Sequence, residues 1–164
     1  MEKKGLIVYY SLDGNTEYVV NKLLEKSNFD IIKLSPKKDI TGKGLSKYFW
    51  GGSQVFMKKT PELNDYNKEI NNYDTIIIGT PVWAGNFTPA IRSFLIKEKE
   101  NLKNKKIFIF ACFDGSSGKT FENFEEFIDK NSIISTLGIK SCIKNKEEND
   151  IYIEEWINKF IIWN

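Results

Sequence analysis

Histidine is absent from this 164-residue chain, cysteine occurs twice, proline four times, and no apolar run approaches the length of a spanning helix. Without histidine there is no Ser-His-Asp or Cys-His catalysis and none of the common His-containing zinc sites. Cys112 and Cys142 are too few for a disulfide framework, and reduced thiols fit a cytoplasmic protein. The charged start, Met1 to Lys4, precedes only a short apolar run, Leu6 to Tyr10, too brief for a signal peptide or a membrane span. A large excess of one charge is also missing. Lys plus Arg number 24 and Asp plus Glu 22, so the net charge of +2 predicts neither a nucleic-acid nor a membrane partner. Internal repeats, low-complexity tracts and Pro/Gly/Ser linkers are lacking too, which predicts one domain over residues 1–164. With 41% apolar and 28% charged residues, the composition is that of an ordinary globular chain able to bury its own core.

What is present is alternation. Short β-branched or aromatic runs occur at Leu6 to Tyr10, Ile31 to Leu34, Thr75 to Gly79, Ile107 to Ala111 and Ile139 to Ile143. They are apolar on consecutive residues, as parallel strands covered on both faces are. Between them, helical periodicity is predicted over Asn15 to Lys26, Pro89 to Lys99, Thr120 to Lys130 and Asp150 to Trp163. The last segment places Ile153, Trp156, Ile157, Phe160 and Ile161 on one stripe. The long connection Ser35 to Asp74 is expected to hold a further helix over Gly44 to Phe56. Strand and helix in turn predict an α/β, doubly wound fold.

In such a sheet a ligand lies beyond the carboxyl ends of the strands, where strand order reverses. The first loop there is Ser11, Leu12, Asp13, Gly14, Asn15 and Thr16, opening a helix. Small and hydroxylated residues let backbone N–H groups and the helix dipole converge on an anion without a lysine. An ordinary capped turn fits the same residues. The second loop, Thr80 with Pro81, Val82, Trp83, Ala84, Gly85, Asn86 and Phe87, sets two aromatics among small residues. An isoalloxazine, flat and apolar with a polar rim, is held by such stacking and by main chain approaching near Gly85; capping of the core by Trp83 and Phe87 is the other reading. The third loop, Cys112, Phe113, Asp114, Gly115, Ser116, Ser117 and Gly118, offers backbone donors and one aromatic. Cys112 reads as a buried small apolar residue, since no cation stands near it in sequence.

The runs VYYSLDGNTEYVV at Val8 to Val20 and IIIGTPVWAGNFTPAIRSFL at Ile76 to Leu95 resemble the flavodoxin family, and the third loop and closing helix fall where that family has them. The resemblance implies a flavodoxin-like, five-stranded parallel sheet in order 2-1-3-4-5. It implies FMN, with its phosphate at Ser11 to Thr16 and its ring between the second and third loops. It also implies that a peptide near Gly85 flips toward the flavin as the ring is reduced. Two departures stand out. Asp13 replaces a usual Ser or Thr, so its carboxylate is expected to point away and cap the helix; and electron-carrying members of the family are strongly acidic, whereas this chain is near neutral.

Three functions stay open on the sequence. One is an electron carrier docking on redox proteins. A second is a small reductase passing electrons from NAD(P)H to quinones or similar acceptors. The third is a phosphate-handling enzyme, prompted by Gly115 to Thr120 (GSSGKT), although Phe113 stands where a Walker loop needs its first glycine. A Cys-x5-Arg phosphatase fails because Gly118 occupies the arginine position. The aromatic segment Tyr48 to Phe56 reads as core packing, with no substrate site assigned.

Overall fold

A computed structural model describes residues 5–38 and 58–163. The expected helix over Gly44 to Phe56, and the aromatic segment Tyr48 to Phe56, lie outside those residues. The strands are β1 (Gly5–Tyr9), β2 (Asp30–Lys33), β3 (Thr75–Trp83), β4 (Asn86–Phe87), β5 (Lys106–Phe113) and β6 (Ile133–Lys140). The helices are α1 (Asn15–Lys26), α2 (Pro89–Lys97), α3 (Thr120–Phe124) and α4 (Lys146–Trp163). Five strands run parallel in the order β2-β1-β3-β5-β6, which is the 2-1-3-4-5 arrangement, and β4 folds back antiparallel on the end of β3.

Side-chain alternation along the buried strands builds a core on each face of the sheet. Leu6, Val8, Ile76, Ile78, Ile107 and Ile109 point one way, onto Ile91, Phe94 and Leu95 of α2 and Phe124 of α3. Ile7, Tyr9, Ile77, Phe108 and Phe110 point the other way, onto Val19, Val20 and Leu23 of α1 and Ile153, Trp156 and Ile157 of α4. Each fully buried side chain of this size contributes about 1.5–3 kcal/mol of transfer free energy, so the unbroken apolar strands favour a doubly covered sheet. The two edge strands differ. β2 and β6 alternate, with Ile31 and Ile134 exposed.

Five expectations need correction. The last strand is Ile133–Lys140, not Ile139 to Ile143. Its edge position leaves every second residue exposed, so it lacks a continuous apolar run, and beyond Lys140 the chain turns at Ser141 (φ +51). β3 continues past Gly79 to Trp83 because β4 pairs with its end, and β5 continues to Phe113 because β6 pairs there. α3 stops at Phe124, after which Glu125 and Phe127 donate to carbonyls three residues back. α4 begins at Lys146. No helix among the described residues is long and apolar enough to cross a membrane.

Candidate functional site

The carboxyl ends of β1, β3 and β5 open onto a cleft of about 660 Å³, within the range of small-molecule sites. At the first loop, Gly14 takes φ +90 and lets the chain enter α1 with no side-chain cap of its own. Neighbouring oxygens serve the helix amides instead. The Ser11 hydroxyl accepts from the Glu17 N–H at 3.3 Å. Asp13 Oδ1 accepts from the Asn15 N–H at 3.2 Å, and Asp13 Oδ2 from the Asn15 carboxamide at 2.9 Å. Thr16 has no exposed surface, and its Oγ1 makes no hydrogen bond. Thr88 and Thr120, at the starts of α2 and α3, carry buried hydroxyls in the same condition; Thr16 differs in adjoining Asn15, which borders the cleft, and a buried hydroxyl without a partner costs about 1–3 kcal/mol.

The second loop is a hairpin whose two-residue turn, Ala84 and Gly85, has φ +48 and +77. This is the left-handed pair that twists with the flanking strands, comfortable for glycine and strained for alanine. Gly85 O accepts from the Lys119 N–H at 3.0 Å, so reorienting the Gly85–Asn86 peptide must give up that bond. The third loop touches the second main chain to main chain. A Cβ on Gly118 (φ +53) would lie 2.4 Å from Gly85 Cα. Ser116 Oγ holds the turn by accepting from the Gly118 N–H at 3.1 Å.

A fourth segment, the turn between β6 and α4, completes the wall. The Ser141 N–H donates to Phe113 O at 2.8 Å, and the Ser141 hydroxyl donates to Asp114 Oδ1 at 3.0 Å. The buried Asn149 carboxamide donates to the carbonyls of Lys140, Ser141 and Cys142 at 3.1–3.4 Å. The Ile143 N–H in turn donates to Asn15 Oδ1 at 3.2 Å, tying this turn to the first loop.

Of the residues singled out in sequence, Leu12, Asp13, Asn15, Pro81, Val82, Trp83, Ala84, Gly85, Cys112, Phe113, Asp114 and Gly115 border the cleft. Ser11, Gly14, Thr16 and Gly118 are not among the lining residues; they belong to the loops that carry them. Asn86 and Phe87 are buried in the hairpin; Phe87 packs on Phe124 at 4.5 Å beneath the Arg92 guanidinium. Trp83 borders the cleft but is only 8% exposed, edge to face with Tyr10 at 5.6 Å. Asp13 caps α1, yet it also borders the cleft. Ser116 and Cys142 border the cleft as well. Cys142 lay hidden in the sequence because its segment reads as strand.

The lining is apolar and aromatic, with two carboxylates, Asp13 and Asp114, and no lysine or arginine among the described residues. Burial, together with the neighbouring Cys142, holds the Cys112 thiol well above its ordinary range, so it stands as a neutral wall group. Such a cleft takes a flat apolar ligand with a polar rim, seated by backbone groups and hydroxyls rather than by cations.

No curated protein matches this sequence. Among solved structures, the fold superposes on a provisionally identified flavoprotein from Bacteroides eggerthii, with a TM-score of 0.75, 23% identity, and 96% of this chain and 97% of that one covered. A flavoprotein in complex with FMN from Lactobacillus acidophilus is 27% identical, with a TM-score of 0.68 over 83% of this chain and 93% of that one. Megasphaera elsdenii flavodoxin shares the fold at 16% identity, with a TM-score of 0.51 over 82% and 85%. The sequence model of the family described as Flavodoxin domain matches residues 54–136. That match takes in half of the chain, including β3, the hairpin, β5 and the third loop, and the chain belongs to the flavodoxin-domain family.

Proposed function

We propose that this chain holds one FMN in the cleft and serves as a flavodoxin-type electron carrier. The observation that carries the reading is the union of an aromatic, backbone-rimmed cleft with a helix N-terminus where the fully buried Thr16 hydroxyl lacks a partner. FMN has the two parts such a site accepts, a flat ring and a phosphate, and the 27%-identical Lactobacillus acidophilus flavoprotein is one solved in complex with FMN. When bound, FMN supplies reversible uptake of one or two electrons. The chain's own contribution is to bind, orient and shield. Trp83, Phe113, Leu12 and Val82 line an apolar slot that excludes water from the ring. Thr16 Oγ1 and the remaining amides of the first turn of α1 donate to the phosphate. The turn at Ala84 and Gly85 sets main chain at the ring's edge. A reducing, cytoplasmic setting suits the two free thiols.

A second reading, a small reductase passing electrons from NAD(P)H to quinones or similar acceptors, draws support from the net charge of +2. A carrier steered onto a charged redox partner gains from a strong field of one sign, which this chain lacks. The purified protein is expected to be yellow, to show flavin absorption bands, and to release FMN on denaturation. A colourless protein that refuses FMN at micromolar excess overturns the reading. Consumption of NAD(P)H with an added quinone selects the reductase, and reduction only through a separate reductase protein selects the carrier.

A further inference from the structure

The N-terminus of α1 already has an anion seated on it. The Asp13 carboxylate takes one of its amides, the Asn15 N–H at 3.2 Å, and also accepts from the Asn15 carboxamide at 2.9 Å, while the Ser11 hydroxyl takes the Glu17 N–H. Asp13 is exposed on the cleft wall and has no cationic partner among the described residues. The other lining carboxylate, Asp114, is differently placed, with Lys144 at 3.7 Å and the Ser141 hydroxyl at 3.0 Å. Among the described residues no lysine or arginine lines the cleft to offset Asp13. A dianion brought to this end meets a fixed like charge and competes for amides that Asp13 and Ser11 already engage, while a flavin without phosphate meets neither.

We propose that Asp13 acts as an internal anion competing with the FMN phosphate for the N-terminus of α1, so that this chain selects flavin by its ring and discriminates weakly between FMN and riboflavin. The inference rests on the FMN reading above. The size of the effect follows from repulsion between a unit charge and a dianion a few ångströms apart in water, about tenfold in affinity. Salt screens such repulsion, so FMN binding to the native chain tightens with ionic strength.

The test is titration of the apoprotein with FMN and with riboflavin, followed by quenching of flavin fluorescence, for the native chain and for Asp13→Asn. The asparagine keeps a carbonyl to accept from the Asn15 N–H and removes the charge. The expected result is FMN affinity raised about tenfold in Asp13→Asn with riboflavin affinity within about twofold, as a neutralised repulsion requires. Between about 20 mM and about 0.5 M salt, FMN binding tightens for the native chain and not for the variant. Asp13→Ser, folded by its melting curve, is expected to behave like Asp13→Asn, with FMN affinity raised and riboflavin affinity within about twofold. Equal changes for both flavins, or a loss of FMN affinity in Asp13→Asn, overturn the inference and leave the cofactor reading standing. A native chain that binds neither flavin overturns both.

Discussion

Thr16 brings together two effects of opposite sign. Its hydroxyl is buried with no partner, so removing it relieves the ligand-free protein and harms the holoprotein. Thr16→Val is expected to stabilise the apoprotein by up to about 1 kcal/mol in urea unfolding and to weaken FMN at least about tenfold, the loss of one hydrogen bond to a charged group. Ala84 gives a separate test. At φ +48 it occupies a turn position that prefers asparagine ahead of glycine, so Ala84→Asn is expected to stabilise by about 0.5–1 kcal/mol, read from the same unfolding curves. The residue types of the first loop were legible as a strand-to-helix turn because Ser, Asp, Gly, Asn and Thr cluster there. Which of them borders the cleft was not. That depends on side-chain packing, which sends Thr16 inward and leaves Asp13 on the wall. Cys112 was legible as a buried, apolar-like residue and is 4% exposed, held protonated by burial and by Cys142. It is therefore expected to resist iodoacetamide in the native state and to react promptly in urea.

Among the elements, the hairpin and the third loop behave as one piece, because Gly85 and Gly118 meet without side chains between them. Gly118→Ala sets a methyl group 2.4 Å from a backbone carbon and strains a left-handed residue, so it is expected to cost about 1–3 kcal/mol. It should also weaken FMN, since Lys119 can no longer reach Gly85 O unchanged. Calorimetric melting and flavin titration together check both effects. α1 was readable to its ends, with Gly14 before it and an apolar stripe at helical spacing along it. β6 was not, because an edge strand alternates and so presents no run to notice. Its loss from the sequence reading carried Cys142 with it. The ends of β3 and β5 went unread because pairing extends them, β3 by the short hairpin strand β4 and β5 by the distant strand β6.

At the scale of the whole molecule, the two cores were legible from uninterrupted apolar strands, whereas the order of the strands came from family resemblance, because periodicity carries no information on neighbours. Three tyrosines report on overall integrity. Burial first, and then a nearby carboxylate, push Tyr9 (beside Glu17), Tyr18 (beside Asp150) and Tyr73 (beside Asp30) up to about 12. A group whose pKa is higher in the native state stabilises the fold fully below its unfolded value, near 10, and loses that contribution as pH rises through the native value. Thermal melts are therefore expected to hold steady at mildly alkaline pH and to fall between about pH 10 and pH 12, together with tyrosinate absorbance. The bond from Ile143 to Asn15 joins an early turn of the polypeptide to a late one. The cleft wall therefore draws on both turns and is complete only once β6 and α4 have docked, so the first half of the fold cannot form the pocket alone.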